Sequence, residues 1–381
     1  MRIVTVLTSL GMGGAEKLAL TVAERMARHG HDVALLSLMP RLREQWPTTL
    51  PVTYLNVRKN PASVAAGFRR GRKFLREFRP DLVHSHSFHA NILARLFPIG
   101  LAGVPRAVVI SSVHNVYDGG WMRMLGYRFT DRWSVRTVAI SQAAAERFVR
   151  LKAVPEHKCL VRGHGIETQL FAPDARRRAS TREAKGTDSS FVWLCAGRIA
   201  PAKDYPNLLR AFANVEQQCS DTQLWIAGGG SEAACQELES LADNLGIREK
   251  VHFLGLQRDM PSLLDAADGF VLGSAWEGLP QVIAEAMAME KPVVATDVGG
   301  VRELMGDRSA RPPGRLVAGT LVPAKDAQAL AAAMVATMRR NKNEGALEGK
   351  AARELIVRRF SIDAVADGWE ELYEQEIGSS Q

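Results

Sequence analysis

Short apolar runs alternate with amphipathic stretches along the chain. Residues 2–8, RIVTVLT, are rich in Val, Ile and Leu, and a glycine-rich turn follows them. Behind the turn, Leu18, Val22 and Met26 recur at the spacing of one helical face. The beginning of the chain therefore predicts a buried strand, a tight turn and a helix that covers the strand.

The same pattern recurs, with a restart near the middle of the chain. The apolar runs of the first half are DVALLSL, VTYLNV, DLVHSH, AVVISSV and TVAIS, and those of the second are FVWLCAG, TQLWIAGGG, KVHFLG, GFVLGS and PVVATDVGG. Such strands, separated by helical segments, are typical of parallel sheets buried on both faces. We predict an α/β fold with two doubly wound, Rossmann-like domains facing a cleft, where ligands bind at the carboxyl ends of the strands.

The predicted domain boundaries lie where this pattern stops. Residues 1–173 form the first domain and residues 191–360 the second. Residues 174–190 are polar and lack apolar periodicity, which predicts a linker. Residues 361–381 begin with a serine that suits a helix N-cap and continue with apolar residues at helical spacing, which predicts a last helix.

The composition indicates an enzyme or binding protein without a membrane-spanning segment. Hydrophobic residues are 46% of the chain, and no stretch approaches the 18 apolar residues that a spanning helix needs. The N-terminal run is too short and too rich in β-branched residues for a signal peptide. The four cysteines lie far apart, which suggests neither a disulfide framework nor a zinc site. We expect a cytoplasmic protein, with any membrane contact peripheral on the inner face.

Basic residues are concentrated in the first half. Residues 1–173 hold 25 Lys and Arg against 11 Asp and Glu, a net charge of +14, whereas the remainder holds 24 against 30, a net charge of −6. Such a half is expected to face a membrane, a phosphorylated acceptor or nucleic acid, although an arginine-rich solvent face gives the same count. Nucleic acid is disfavoured, because aromatic residues are only 7% and are not interleaved with the basic ones.

Residues 58–79 predict a strongly basic amphipathic helix in this half. Its position between strands favours a helix that covers the sheet and exposes its basic face to solvent. A helix of this kind also suits an anionic membrane, and a single helix is able to do both.

The first glycine turn fits a dinucleotide site only in part. Gly11 and Gly13 have G-x-G spacing, but Glu16 stands where the third glycine of G-x-G-x-x-G belongs. The second strand also ends without the acid that holds a nicotinamide ribose, so NAD binding is disfavoured. What remains is either a plain tight turn or a turn whose backbone N–H groups bind phosphate or hydroxyl oxygens at a helix N-terminus.

Two carboxylates flank the start of a predicted helix in the second half. Glu277 precedes a Gly-Leu-Pro turn, and Glu285 falls inside the helix, for which Pro280 suits the first position. Backbone N–H groups near residues 279–282 favour an anion, while the carboxylates suit neutral hydroxyl groups around it. A diphosphate flanked by two sugars has this chemistry, so we predict a nucleotide-sugar site.

With these motifs the sequence resembles the retaining glycosyltransferases of the GT-B fold, the E-x7-E group called family 4 or group 1. The resemblance covers nearly the whole chain. It is carried by Glu277 and Glu285 as the E-x7-E pair, and by GGAE at 13–16, SVHN at 112–115, GHGIETQLF at 163–171 and AGRIAPAKDYPNLLRAF at 196–212.

The resemblance implies a role for each matching residue. Glu285 is expected on the ribose hydroxyls and Glu277 on a hydroxyl of the donor sugar, while Arg198 and Lys203 stabilise the charge of the departing diphosphate. The implied catalytic residues are His114, Arg198, Lys203 and Glu277. The implied donor-binding residues are Gly13, Gly14, Arg198, Lys203, Gly278, Leu279, Pro280 and Glu285. Glu16, His86 and His89 are assigned to the acceptor side.

No metal and no cofactor are expected, since the nucleotide-sugar is a substrate. The sequence has no D-x-D motif, and the spacing of His84, His86 and His89 fits no standard set of metal ligands. These histidines are expected either to line the acceptor cleft or to pack internally.

We therefore predict a retaining, metal-independent glycosyltransferase. It would move a sugar from a nucleotide-sugar to a glycan or lipid-linked acceptor, in the synthesis of cell-surface polysaccharide or glycolipid. The alternatives are a nucleotide-sugar epimerase or hydrolase of the same fold, and a non-catalytic nucleotide-sugar binder. An anionic membrane surface is an expected partner of the first half, and nucleic acid is not.

Overall fold

The computed structural model describes residues 1–98, 107–116, 119–163, 165–187, 189–306, 314–316 and 319–379. His164, in the GHGI motif, lies outside them. The chain divides into two compact units. The first unit contains Met1–Gly165 together with Ile362–Gln381, and the second contains Ile166–Ser361.

Each unit is built on one sheet. The strands of the first are β1 Arg2–Leu7, β2 Asp32–Ser37, β3 Val52–Tyr54, β4 Leu82–His86, β5 Val108–Val113, β6 Arg136–Ala139 and β7 Cys159–Val161. Those of the second are β8 Phe191–Ala196, β9 Thr222–Ala227, β10 Val251–Gly255, β11 Gly269–Leu272, β12 Val293–Thr296, β13 Gly314–Leu316 and β14 Gly319–Val322. Among the described strands, every pairing is parallel except that of β13 with β14.

Helices connect the strands, as a parallel sheet requires. In chain order they are α1 Gly14–Arg28, α2 Pro61–Phe78, α3 Phe88–Leu96, α4 Trp121–Thr130, α5 Gln142–Arg150, α6 Ala175–Lys185, α7 Tyr205–Gln218, α8 Glu232–Asn244, α9 Met260–Ala266, α10 Gln281–Ala288, α11 Val301–Met305, α12 Ala327–Met338, α13 Lys342–Phe360 and α14 Ile362–Gly378. The two parallel sheets with their helices confirm the predicted α/β fold of two doubly wound units.

In each sheet, the order in which the chain adds strands reverses at one point. The first has the order β3-β2-β1-β4-β5-β6-β7, and the second has the order β10-β9-β8-β11-β12-β14-β13. The reversals fall between β1 and β4 and between β8 and β11. In doubly wound sheets, ligands bind outside the carboxyl ends of the strands at such a switch point. A ligand is therefore expected at the loops that follow these four strands.

The last helix, α14, belongs to the first unit. Trp369, Leu372 and Tyr373 are buried in one cluster with Leu18 and Val22 of α1. Leu372 and Tyr373 follow Trp369 by three and four residues, which places the three side chains on one face of α14. The C-terminal end of the chain thus supplies part of the core that covers β1.

The segment 174–190 differs from the predicted linker. Most of it is α6, which lies within the second unit and is N-capped by the Asp174 side chain. Arg182 Nη1 lies 3.0 Å from Asp268 Oδ2, and Arg177 pairs with Asp265. The helix is held by ion pairs to residues far along the chain instead of by an apolar stripe, which explains why apolar periodicity did not indicate it. The contact boundary also falls at residue 165 instead of 173.

Within the described residues, no helix has the length and apolar character needed to cross a membrane.

Candidate functional site

The loop between β11 and α10 carries the first predicted carboxylate. α10 begins at Gln281, and Pro280 occupies its N-cap, one position earlier than predicted. Glu277 lies in this loop, and 11% of its side chain is exposed. The loop follows β11, so Glu277 stands at the switch point of the second sheet.

Glu277 is held by two side chains at a single carboxylate oxygen. Lys203 Nζ lies 2.6 Å from Glu277 Oε1, and Ser274 Oγ donates to the same oxygen at 2.6 Å. Lys203 follows β8, the neighbour of β11 in the sheet. The structure thus brings together two residues 74 positions apart in the sequence, as a partly buried ion pair at the switch point.

Two glycines allow the backbone to pass close to this pair. A Cβ on Gly197 would lie 2.7 Å from Lys203 Cε, so the lysine stem crosses directly over this glycine. Gly299 has φ +55°, and a Cβ there would lie 2.1 Å from the carbonyl oxygen of Glu277. A larger residue at either position would push Lys203 or the Glu277 loop out of place.

Arg198 and Tyr205 flank the turn after β8. The Tyr205 hydroxyl donates to the carbonyl oxygen of Gly197 at 2.6 Å, and its ring is buried. This contact fixes the turn from which Lys203 extends. Arg198 is exposed in the same turn, next to Gly197. It is therefore accessible to a ligand, and its guanidinium suits the bidentate binding of phosphate oxygens.

Glu285 lies in the second turn of α10 and is 5% exposed. Its neighbours Ala284, Ala286 and Met287 are buried apolar residues. Burial of a carboxylate among apolar groups is costly unless polar groups compensate for it. The role that the resemblance implies for Glu285, binding of the ribose hydroxyls, stays a prediction at this buried position.

The glycine turn after β1 differs from the anion site that the sequence allows. Gly13 is the N-cap of α1, and Gly14 is its first residue. A Cβ on Gly13 would lie 2.2 Å from Glu16 Oε2, so the Glu16 carboxylate is folded back over the turn. A carboxylate there is favourable next to the helix N-terminus, but it repels a phosphate. The turn therefore suits hydroxyl groups better than phosphate oxygens.

Two of the predicted histidines form a buried pair in the first unit. His86 ends β4, His114 directly follows β5, and these strands are adjacent. His86 Nδ1 lies 3.1 Å from His114 Nε2, and the rings stack at 27° with their centroids 5.2 Å apart. Burial lowers the pKa of His114 to about 4, so its imidazole is neutral at neutral pH. A neutral imidazole is suited to hydrogen bonding with sugar hydroxyls and carries no charge for a phosphate.

His84 packs against the other side of this contact, with its ring centroid 4.1 Å from that of His86, whereas His89 lies apart. His84 Nδ1 lies 2.6 Å from the Tyr373 hydroxyl, and His84 Nε2 lies 2.7 Å from Ser112 Oγ. Burial, with a smaller contribution from His114, lowers the pKa of His84 to about 3. His84 thus packs internally, whereas His89 is exposed on α3 beside the Phe88 ring.

Sequence analysis did not single out Ser274, Tyr205 or the closeness of Gly299 to Glu277. Ser274 lies only three residues before Glu277 in the sequence, so the closeness of the two could have been predicted. The approach of Gly299 depends on a loop 22 residues later and has no local signal. In the described part of the chain, no group of three His, Cys, Asp or Glu residues is placed to hold a metal ion.

Comparison with known proteins decides the family. Residues 12–170 match the model of Glycosyltransferase Family 4, and residues 190–340 match that of Glycosyl transferases group 1. The chain belongs to the glycosyltransferases. The second segment contains both strands of its switch point, β8 and β11, whereas the first contains β4 but begins after β1.

Two curated relatives illustrate the similarity of this glycosyltransferase to others. It is 28% identical over 311 residues to the lipopolysaccharide core biosynthesis glycosyltransferase LpsD of Rhizobium meliloti, covering 81% of this chain and 79% of that one. It is 27% identical over 237 residues to the UDP-Gal:alpha-D-GlcNAc-diphosphoundecaprenol alpha-1,3-galactosyltransferase of Escherichia coli. That match covers 60% of each chain.

Among solved structures, HepE of Anabaena in complex with UDP-glucose has the same fold. The TM-score is 0.83, and the match covers 98% of this chain and 100% of that chain. The two sequences are 20% identical, so this similarity establishes the fold alone.

Proposed function

We propose that this glycosyltransferase moves a sugar from a nucleoside-diphosphate sugar to a glycan or lipid-linked acceptor, with retention of the anomeric configuration and without a metal ion. The observation that carries the proposal is the Lys203–Glu277 pair at the switch point of the second sheet, with Glu285 on the helix that follows. A relative that acts on a diphosphoundecaprenol-linked sugar supports the lipid-linked class of acceptor.

In the second unit, Lys203 is suited to receive the departing diphosphate. An ammonium group has three N–H donors, so Lys203 is able to keep its contact with Glu277 while donating to a phosphate oxygen. Glu277 then holds the lysine in position and offers its second carboxylate oxygen to a sugar hydroxyl. Arg198 and the N-terminus of α10 add positive charge beside it. These groups supply the charge that a divalent cation provides at other diphosphate sites.

The proposed transfer needs no protein nucleophile to account for its bonds and its proton. The bond between the anomeric carbon and the β-phosphate oxygen breaks as a bond to the acceptor hydroxyl forms on the same face. The acceptor proton passes to the departing phosphate, and a nucleoside diphosphate leaves. Charge on the β-phosphate grows during this step, so Lys203 and Arg198 stabilise the transition state more than the bound donor.

In the first unit, we assign the acceptor and the sugar hydroxyls to the neutral groups at the switch point. His114 is uncharged at neutral pH, and Glu16 covers the glycine turn that would otherwise bind an anion. Both features favour hydroxyl groups.

The experiment uses the full-length protein, a panel of UDP, GDP and ADP sugars, and a polyprenyl-diphosphate-linked sugar as acceptor, with and without EDTA. We expect one donor to give acceptor-dependent release of nucleoside diphosphate, at the same rate in EDTA. Proton NMR of the fresh product should show the donor's anomeric configuration. An inverted product contradicts retention, and turnover that stops in EDTA and returns with Mg²⁺ contradicts metal independence. Release that is independent of any acceptor would support the hydrolase alternative.

A further inference from the structure

Helix α4 of the first unit carries an apolar face that the fold leaves exposed. Trp121, Met122 and Phe129 are exposed by 72%, 71% and 69%. Trp121, Leu125 and Phe129 recur every four residues, with Met122 beside them, so the four side chains share one side of the helix. We call these four residues the α4 face.

The opposite side of α4 is anchored in the core. Met124 and Tyr127 are buried, and the Tyr127 ring lies 5.2 Å from that of Phe148 and 5.4 Å from that of Phe88. The helix is therefore fixed to the first unit by one apolar side while a second apolar side faces outward. Helices that only cover a sheet carry polar residues on their outer side, so the α4 face needs a separate explanation.

Basic residues border the α4 face, and the described segment 119–136 has no exposed acidic residue to offset them. Arg128 and Arg132 are exposed, one at the margin of the face and the other just beyond the end of the helix. In residues 119–136 the one acidic residue is Asp131, which is buried and pairs with Lys158 at 3.1 Å. The exposed charge of the described segment 119–136 is thus positive, which complements an anionic surface, and Asp118, which precedes the segment, lies outside the described residues.

We propose that the α4 face docks this protein on an anionic lipid membrane. Trp and Phe with flanking arginines are the residues that interfacial helices insert between acyl chains and phosphate headgroups. A second copy of the chain fits less well, since a two-fold contact through this face would bring Arg128 and Arg132 close to their own counterparts. The inference rests on the proposed function only in giving the docking a purpose, namely access to a lipid-linked acceptor.

The position of α4 gives the docking a consequence for the site. The helix begins seven residues after His114, which stands at the carboxyl end of β5. Insertion of the α4 face therefore places this end of the first sheet near the headgroups. In α2, by contrast, Phe68, Phe74 and Phe78 pack against the core, so the basic helix predicted from the sequence offers charge without an apolar face.

The test is cosedimentation of the full-length protein with phosphatidylcholine vesicles and with vesicles of phosphatidylcholine and phosphatidylglycerol in equal parts. The Trp121→Ser/Phe129→Ser variant should lose at least tenfold in affinity for the mixed vesicles. The Arg128→Gln/Arg132→Gln variant should bind the mixed vesicles more weakly than the wild type. Added salt should weaken wild-type binding in the same way, because salt screens the charge of the arginines. The matched control is Leu347→Ser on α13, a residue 70% exposed in the second unit, which should change nothing. Thermal melting checks that each variant is folded.

Three outcomes would overturn the docking proposal. In the first, the wild type and Trp121→Ser/Phe129→Ser bind the mixed vesicles equally well. In the second, the wild type does not bind mixed vesicles. In the third, the double variant differs from the wild type only in its oligomeric state, as measured by sedimentation. Nucleotide release with a water-soluble acceptor, measured in parallel, should be the same in wild type and variant. If no donor is turned over but vesicle binding still needs Trp121 and Phe129, the proposed function is wrong and the proposal of membrane docking through the α4 face is supported.

Discussion

The two units share one topology but differ in the chemistry at their switch points. In the second unit, the loops after β8 and β11 hold a lysine and a glutamate in direct contact, with an exposed arginine in the same turn. In the first, the turn after β1 holds a carboxylate folded over its glycines, and β4 ends in a buried histidine that contacts a second, neutral histidine. One sheet edge offers a lysine and an arginine, and the other offers neutral imidazoles and a carboxylate, which both suit hydroxyl groups.

Under the proposed function, this difference assigns the two substrates of the reaction to different units. A parallel sheet fixes where a ligand binds, because its strands end at one edge. The side chains that follow those strands fix which ligand binds. A diphosphate needs cationic donors, whereas sugar hydroxyls need groups that both donate and accept. The assignment of donor diphosphate to the second unit and hydroxyl groups to the first follows from those chemistries.

The largest expected effect comes from removing the cation of the second unit. Lys203→Met should lower kcat by about a hundredfold, because the ammonium stabilises charge that develops only as the glycosidic bond breaks. The donor KM should rise much less. Steady-state kinetics with Lys203→Arg and the exposed Lys350→Met as controls make the test specific. A variant with full kcat and only a raised KM would place Lys203 in ground-state binding instead.

A smaller effect is expected from pH on the first unit. The pKa of His114 is about 4 in the folded protein, below the ordinary value of 6.5, so between these values the unfolded chain binds a proton that the folded chain does not. The contribution of His114 to the free energy of unfolding is therefore fully present above about pH 6.5. The free energy of unfolding falls by about 1–3 kcal/mol as the pH drops towards 4.

Urea unfolding at pH 7, 6 and 5 measures this loss. The His114→Asn variant should show a shallower dependence on pH than the wild type, while His157→Gln, at an exposed position, should match the wild type. Identical slopes in wild type and His114→Asn would show that His114 is not held neutral by burial.

Much of the fold and part of the site could be predicted from the sequence. Apolar runs such as RIVTVLT and FVWLCAG identified strands because strands buried on both faces must be apolar throughout. The linker prediction for residues 174–190 was wrong, because α6 is held by Arg177 and Arg182 pairing with aspartates more than 80 residues away. Periodicity does not reveal such long-range ion pairs.

The functional roles of the site residues stay predictions, but their positions show what motifs can and cannot indicate. The motifs pointed to Lys203 and Glu277 separately, and only the fold shows that they touch. For the turn at Gly13 and Gly14, the sequence left phosphate oxygens, hydroxyl oxygens and a plain tight turn open, and it did not indicate the position of the Glu16 carboxylate, which depends on a rotamer. The α4 face escaped notice because two apolar sides on one short helix resemble the pattern of a fully buried helix.

The central claim is that the nucleoside diphosphate binds through the second unit and not through the first. Calorimetry with the nucleoside diphosphate of the active donor tests it, using Lys203→Met, Glu285→Gln and His114→Asn beside the wild type. We predict at least tenfold weaker binding for Lys203→Met and Glu285→Gln, as expected for lost hydrogen bonds to charged groups, and affinity within about twofold of wild type for His114→Asn. Equal weakening by His114→Asn, or unchanged affinity in Lys203→Met, would contradict this division between the units.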